Sequence, residues 1–565
     1  MSAEAGETLH FDTDVLVVGG GGAGMYAALS AAADGARVIL LDKNVVGRGG
    51  ATIMAQMTCA SALGEAEPDG PQAHLADTLE AGRGLCDETL AGIVCEGSPT
   101  RIRELGAWRV NWARDEEGRI AQVLAPGHSR RRCVYVDFLS TGTAISAALR
   151  RETGRNAAVR RLSNVTVTDL VVSDGEVTGA VGFDIAGGAS VTIRAGATVL
   201  CLGGMAKLYR RTTAPANSAG EGLGLALRAG ARLVDIEFLQ FYPNGHLAPR
   251  MVGLDPTTWE PTRVKLGGRL LNSEGEEFLA RYGEGGEGYN TTRDLLTHAI
   301  YREVAEGRGT PNGGVYLSFQ HIAPERLKAA LGPFIDIFAS NNIDISKQPV
   351  EIFPIAHYQM GGIVVTPDLA TDVPGLYAAG EIVGGANGAN RLSGNALPEA
   401  LVFGERAGRS AAAHARARTG TAWDEKAAAP HLARLRERRA ARPGGPPPVA
   451  LLGELRSLMW EKVGAFRNEA DLEAALRRIR QMQADDLPAL SVGDHKVHNT
   501  DLVEWFELRG GLVAAEALTL AALRRRESRG AHQRDDFPDT DPALTRNQFL
   551  RLDGGALVSS FGAAP

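Results

Sequence analysis

The chain has 565 residues, enough for two to four domains and a large core. Its 44% hydrophobic and 22% charged residues are ordinary for a soluble globular protein, and a formal charge of -7 argues against nucleic acid as a main partner. Five scattered cysteines (Cys59, Cys86, Cys95, Cys133, Cys201) with no Cys-x-x-Cys support neither an iron–sulfur cluster nor a cysteine zinc site, so no metal is expected; they read as buried thiols in a reducing compartment.

The polar, acidic start, MSAEAGETLHFD, lacks the basic and apolar stretches of a secretory signal. No run of about 18 apolar residues follows, so a cytoplasmic protein without a membrane span is expected. Val15–Val18 is a continuous apolar run, as in a strand buried on both faces. Glycines follow, then the alanine-rich Met25–Ala33, a good helix, and Arg37–Leu41, a second strand ending at Asp42. The three make a βαβ unit.

Val165–Val172 and Val177–Phe183 read as strands joined by an Asp174-Gly175 turn, and Ala197–Leu202 as a further strand ending in Gly203-Gly204. Gly222–Ala231 resumes helical spacing. Residues 246–355 have mixed character and read as a domain inserted into the first, which resumes where Leu376–Ala379 precedes Gly380-Glu381. The basic run Arg434–Arg442 reads as a solvated helix face, PGGPPP at Pro443–Pro448 as a breaker, and Asn468–Ala484 and Leu512–Arg526 as helices. The division is 1–245 and 356–415 for a nucleotide-binding domain, 246–355 for a cap, and 416–565 for a helical C-terminal domain.

Gly19 to Gly24 satisfies G-x-G-x-x-G. Gly19 allows the tight turn, Gly21 lets backbone approach a pyrophosphate, and Gly24 lets helix pack on strand. With Gly22 and Ala23 they open a helix whose N-terminus faces phosphate. Asp42 lies about 20 residues on, where a carboxylate can take ribose hydroxyls. The later strand ending in Gly380-Glu381 indicates FAD rather than NAD.

Four further segments carry a resemblance. His357–Ile363 reads HYQMGGI, Gly388–Leu392 reads GANRL, Gln240–Pro243 reads QFYP, and Glu527–His532 reads ESRGAH. With Thr291–Asp294 (TTRD) and Gly127–Arg132 (GHSRRR), the chain resembles, nearly end to end, the flavoprotein subunit of the fumarate reductase/succinate dehydrogenase family, which includes L-aspartate oxidase. The resemblance implies an α/β fold: a Rossmann-like FAD-binding domain with an inserted α+β capping domain and a helical C-terminal domain. It implies hydride transfer between flavin N5 and a carbon next to a carboxylate, with the flavin carrying the redox chemistry.

By position, Arg391 should grip a substrate carboxylate, His357 should donate to the same or an adjacent one, and Arg293 should move the proton at carbon. Tyr242 stands where a substrate-contacting histidine is usual. FAD contacts are expected at the cradle, at Asp42 and Lys43, along Arg48, Gly49, Gly50, Ala51 and Thr52, and at Val171. Others are expected at Gly203, Gly204, Glu221, Gly380, Glu381, Asn395, Ala396 and Leu397, with His357 and Arg391 nearby. Arg529 and His532 should tie the helical domain to the flavin domain.

Two departures matter. The 48–52 segment has no histidine where membrane-bound members attach FAD covalently, so noncovalent FAD is expected. An arginine acid needs a relay that restores its proton, and Val264 and Leu266 stand where the family has arginine and glutamate, although Arg263 and Lys265 adjoin. Two alternatives therefore stay open: an amino-acid oxidase similar to L-aspartate oxidase, and a flavin-bearing electron-transfer subunit without carbon chemistry. The electron partner must be separate: oxygen, a soluble donor, or an iron–sulfur subunit.

Overall fold

A computed structural model describes residues 7–251, 259, 266–282, 292–332, 334–418, 423–440 and 444–562. The first strand, Thr8–Val18, ends in Val15–Val18, each at most 1% exposed. Apolar on both faces, that run sits inside a sheet. It lies parallel between Val38–Asp42 and Ser190–Leu200, and Val159–Ser163 pairs parallel with Val38–Asp42. Leu376–Ala378 adds in parallel beside Thr198–Leu200, in the same sheet as the first strand. The antiparallel pair Val165–Ser173 and Glu176–Asp184 completes the sheet, turning at Asp174 and Gly175, both with positive φ. Helices Gly22–Ala33 and Ala396–Ala417 pack together on this sheet.

The segment between carries its own sheet and core. Leu239–Ala248 pairs with Val350–Gln359, which pairs with Val315–Ser318 and it in turn with Arg269–Leu271, all antiparallel. Behind this sheet, Trp259, Phe278, Ile300, Leu317 and Phe338 form a second apolar cluster. The two long strands begin and end outside 246–355, so each runs from the insertion back into the flavin-binding body.

Between residues 425 and 524 the described chain is mainly helical, through Glu425–Arg439, Pro448–Lys462, Glu469–Gln481 and Thr500–Arg524, and strands follow instead of the helix expected to the end. The last helix begins twelve residues before the expected Leu512, because Asn499 caps it, its side-chain oxygen accepting from Leu502 N at 2.9 Å. The basic run is not simply a solvated face. Arg434 reaches Asp169 at 3.4 Å, Arg439 donates to Ser190 Oγ at 3.1 Å, and Arg438 lies over the Trp505 ring at 4.5 Å; Arg436 alone of these is exposed.

A terminal hairpin, Asn547–Asp553 with Ala556–Gly562, pairs with Leu233–Val234, which pairs with Gly362–Ile363. The chain end is thereby stitched to the flavin-binding body. The ESRGAH block joins the same seam. Fully buried Arg525 bonds Glu237 at 2.6 Å and Glu527 at 3.0 Å, Arg529 pairs with Glu527 at 2.9 Å, and His532 accepts from Arg467 at 2.7 Å.

Candidate active site and flavin cleft

Sterics dictate the glycine cradle. Gly19 has φ +109°, and a Cβ there would lie 2.4 Å from the Cys201 carbonyl oxygen. A Cβ on Gly24 would lie 1.8 Å from the carbonyl oxygen of Gly19, so this helix packs on its strand only with hydrogen at that position. A Cβ on Gly21 would meet nothing within 4 Å: this side is open, as a bound pyrophosphate requires.

Asp42 is buried, its oxygens taking the amides of Gly20 and Asn44, both at 2.7 Å. Lys43 is ion-paired with Glu221 and with Glu507, the latter at 2.5 Å. Two expected cofactor contacts are thus bonded to each other and to the last long helix.

A cavity of about 440 Å³ opens from this cradle. Its lining joins Gly19, Gly21, Gly22, Ala23, Asp42 and Lys43 to Gly50, Ala51 and Thr52, to Gly203 and Glu221, and to Gly380, Glu381, Ala396 and Leu397. It also contains Arg293, His357 and Arg391, so the first strand's glycines and the cationic side chains share one space. The first turn of Ala396–Ala417 faces it, placing a helix N-terminus on the wall. A cleft open at Gly21, lined by the glycine cradle and by a helix N-terminus, fits FAD.

Several expected contacts stand back from the wall. Gly24 packs on Gly19, and Arg48 is exposed. Gly49 sits against Asn44 and Asn217, and Gly204 leaves room for the Glu381 carboxylate, 2.5 Å from where its Cβ would be. Asn395 is buried, bonded to His74 at 2.9 Å. Val171 is turned away, packed with Val181 and Ala428. Its strand reaches the cavity through Val165, Thr166 and Val167, and a register shift between Val167 and Asp169 separates that end from Val171.

The polar end of the cleft is built from the crossing strands. Gln240 and Tyr358 are register partners on Leu239–Ala248 and Val350–Gln359, with His357 next in line. Arg293 is the first residue of helix Arg293–Glu303, held where Asp294 pairs with Arg83 at 2.9 Å and accepts from Asn390 at 3.2 Å. Arg391 sits in the loop before Ala396–Ala417. Both guanidiniums donate to one oxygen, Oε1 of Gln240, Arg293 at 3.0 Å and Arg391 at 3.1 Å. The Gln240 amide is oriented by donating to Asn390 Oδ1 at 3.0 Å and to the Arg391 carbonyl at 2.9 Å.

Arg391 also lies over the Tyr358 ring at 4.3 Å, and its buried Nε finds no acceptor among the described residues. Burial and the neighbouring Arg293 push its pKa down to about 10. The same burial, with both arginines adding, holds His357 well below the usual histidine range, so the imidazole is neutral at pH 7. Its Nδ1 meets Thr213 Oγ1 at 2.6 Å. Tyr242 is fully buried and does not line the cavity; its ring sits 5.2 Å from the His357 ring and 5.2 Å from the Arg293 guanidinium, backing both.

Behind Tyr358, its hydroxyl donates to Glu399 at 2.9 Å, and Asn387 donates to the same oxygen at 2.7 Å. Burial raises the Glu399 and Glu381 carboxyls to about 7. Leu266, at the family's glutamate position, is 5% exposed within the apolar core of the insertion. Val264, Arg263, Lys265 and Thr291 lie outside the described residues. No metal-binding cluster occurs among the described residues.

A dinucleotide cradle running into a corner lined by Arg293, His357 and Arg391 defines an FAD-dependent oxidoreductase. Residues 14–397 match the FAD binding domain family, and residues 453–552 match the fumarate reductase flavoprotein C-terminal family. The chain is 37% identical over 96% of its length to a subunit of the fumarate reductase (CoM/CoB) of Methanothermobacter marburgensis, covering 98% of that protein. It is 34% identical to L-aspartate oxidase of Streptomyces coelicolor, over 95% of this chain and 91% of the other. Its structure superposes on quinol fumarate reductase of Escherichia coli with a TM-score of 0.91 at 30% identity, covering 98% and 97% of the two chains. The chain belongs to the fumarate reductase/succinate dehydrogenase flavoprotein family.

Proposed function

We propose that this protein reduces or forms a carbon–carbon double bond flanked by carboxylates, with a dicarboxylate of the fumarate class as substrate and noncovalently held FAD. The observation that carries this reading is the convergence of Arg293 and Arg391 on Gln240 beside neutral His357. When bound, FAD supplies the hydride acceptor or donor. Arg391, with a buried Nε lacking an acceptor among the described residues, takes a substrate carboxylate. In the tautomer this role requires, the Thr213 hydroxyl, 2.6 Å away, donates to Nδ1 and the His357 proton sits on Nε2, from which it is donated. Arg293 moves the proton at carbon, its guanidinium aimed by Gln240 and, at 3.4 Å, by Ser393 Oγ.

An amine substrate would favour a carboxylate partner in the cleft. The acids among the described lining residues are Asp42, Glu221 and Glu381. Each is already bonded within the chain, to backbone amides, to Lys43, or to Gln359 N at 3.1 Å. This favours carbon–carbon over carbon–nitrogen chemistry. No described helix is long and apolar enough to cross a membrane. All five cysteines are free thiols, which suits the reducing cytoplasm in which we place the protein. Relatives named as subunits support a separate electron partner.

The test is product analysis. Purified protein with a reduced dye and fumarate should yield succinate. Ammonia and a keto acid from aspartate, with no succinate from fumarate, would transfer the chain to the amino-acid oxidase reading.

A further inference from the structure

Next to the Arg391 loop lies a buried polar column that the chemistry above leaves unused. Arg132, fully buried, is clamped by Asp69 through Nε at 2.9 Å and Nη2 at 3.1 Å, and by Asp77 through Nη1. The same Nη1 meets Nδ1 of His128 at 3.3 Å. A guanidinium can only donate, so Nδ1 is the acceptor and the proton of the neutral ring sits on Nε2. Nε2 faces the carbonyl oxygen of Ser393 at 2.6 Å, which can only accept. Two independent partners thus select one tautomer. Burial keeps the ring uncharged, its pKa pushed down to about 3.

Two residues further on, the arrangement repeats. His74 Nε2 meets Asn395 Oδ1 at 2.9 Å, while the Asn395 amide donates to Thr78 Oγ1 at 3.1 Å. The two imidazoles are 6.1 Å apart, so the turn between Ser393 and Asn395 is held at both ends. That turn follows Arg391 directly and carries the Ser393 hydroxyl that Arg293 reaches.

We infer that His128 is a positioning residue for the carboxylate site: by donating to the Ser393 carbonyl it fixes the turn from which Arg391 enters the cleft, and Arg132 fixes its tautomer. This rests on the reading of Arg391 as the carboxylate-binding group. A packing role alone would need only the ring's shape, whereas this role needs a donor toward Ser393 and an acceptor toward Arg132.

The experiment uses FAD-loaded protein with His128→Phe, which keeps a ring but no hydrogen bonds, and His128→Gln, whose amide can both donate and accept. With flavin absorbance retained, the Phe variant should raise KM for fumarate at least about tenfold while kcat moves much less, and Gln should restore most of the loss. A crystal structure of the Phe variant should show residues 391–395 displaced. If Phe does not fold, His128→Asn, too short to span both partners, is read by the same criteria. A Phe variant, or the Asn variant in its place, with KM within about twofold of wild type and an undisplaced turn overturns the inference. If the wild type turns over no carboxylate, the proposed function has failed, and the crystal structure alone decides the positioning role.

Discussion

Arg293 and Arg391 are held by the same atom. Their guanidiniums reach Oε1 of Gln240 from a helix start and from a distant loop, at 3.0 and 3.1 Å. Two like charges this close are mutually unfavourable in a buried site: burial and then Arg293 lower the pKa of Arg391, and burial and then both arginines lower that of His357. A neutral acceptor aligns them without cancelling them, leaving the positive field for an anionic substrate.

Replacing Gln240 therefore tests the arrangement. Gln240→Leu removes the shared acceptor and should cost about 1–3 kcal/mol of site organisation, a fall in kcat/KM of roughly 10- to 100-fold. Gln240→Glu should behave differently, because its carboxylate pairs with the guanidiniums and competes with substrate. KM should rise by about tenfold or more with the flavin spectrum unchanged. Steady-state kinetics with fumarate separates the two.

Arg391→Lys keeps a charge but loses the planar fork. The expected loss in kcat/KM is about 100-fold, equivalent to roughly 3 kcal/mol of charge-assisted bonding. Flavin absorbance per mole of protein should stay the same, since the cradle residues are on the first strand and helix. Loss of flavin in this variant would show that Arg391 serves the cofactor rather than the substrate.

Several residues of this site are legible in sequence and others are not. Gly24 is dictated by contact with Gly19 at the end of its own strand, and Gly19 by its positive φ as well as by the remote Cys201 carbonyl, so a local motif reveals both. His357 and Arg391 sit in long segments with few alternatives. Gln240 lies in the QFYP segment, yet a neutral amide carries no chemical signature of its own, and its role exists only because two strands and a distant loop meet. Val171 reads as a cofactor contact only while its strand is taken as regular, and the register shift between Val167 and Asp169 is a tertiary feature. The terminal hairpin has a local signal, Gly554-Gly555 between alternating segments, both with positive φ. Its partner strand, Leu233–Val234, is remote in sequence and leaves no such signal.

Burial that raises Glu399 to about 7 has a consequence for stability. The folded pKa lies above the ordinary carboxyl value of 4.5, so between these pH values the folded state binds more protons than the unfolded one. The Glu399 contribution is therefore present below about pH 4.5 and declines as pH rises to about 7. Glu399→Gln, which cannot ionise, should narrow the difference in Tm between mildly acidic and mildly alkaline buffer relative to wild type. Thermal melts of both proteins across that range check it; parallel curves would place Glu399 in a solvated setting.

With no histidine along residues 48–52, FAD should leave the protein on acid denaturation. Trichloroacetic acid should release all yellow colour to the supernatant. Flavin remaining on the washed pellet would demonstrate a covalent bond at another side chain.

The central claim is that the Arg293–Arg391 corner presents an unsaturated dicarboxylate to FAD. The most direct measurement is stopped-flow mixing, without oxygen, of chemically reduced protein with fumarate, following flavin absorbance. Rapid, saturable reoxidation that is lost in Arg293→Ala is the predicted result. Reduced flavin that is indifferent to fumarate, together with oxidised flavin bleached by aspartate, would contradict it.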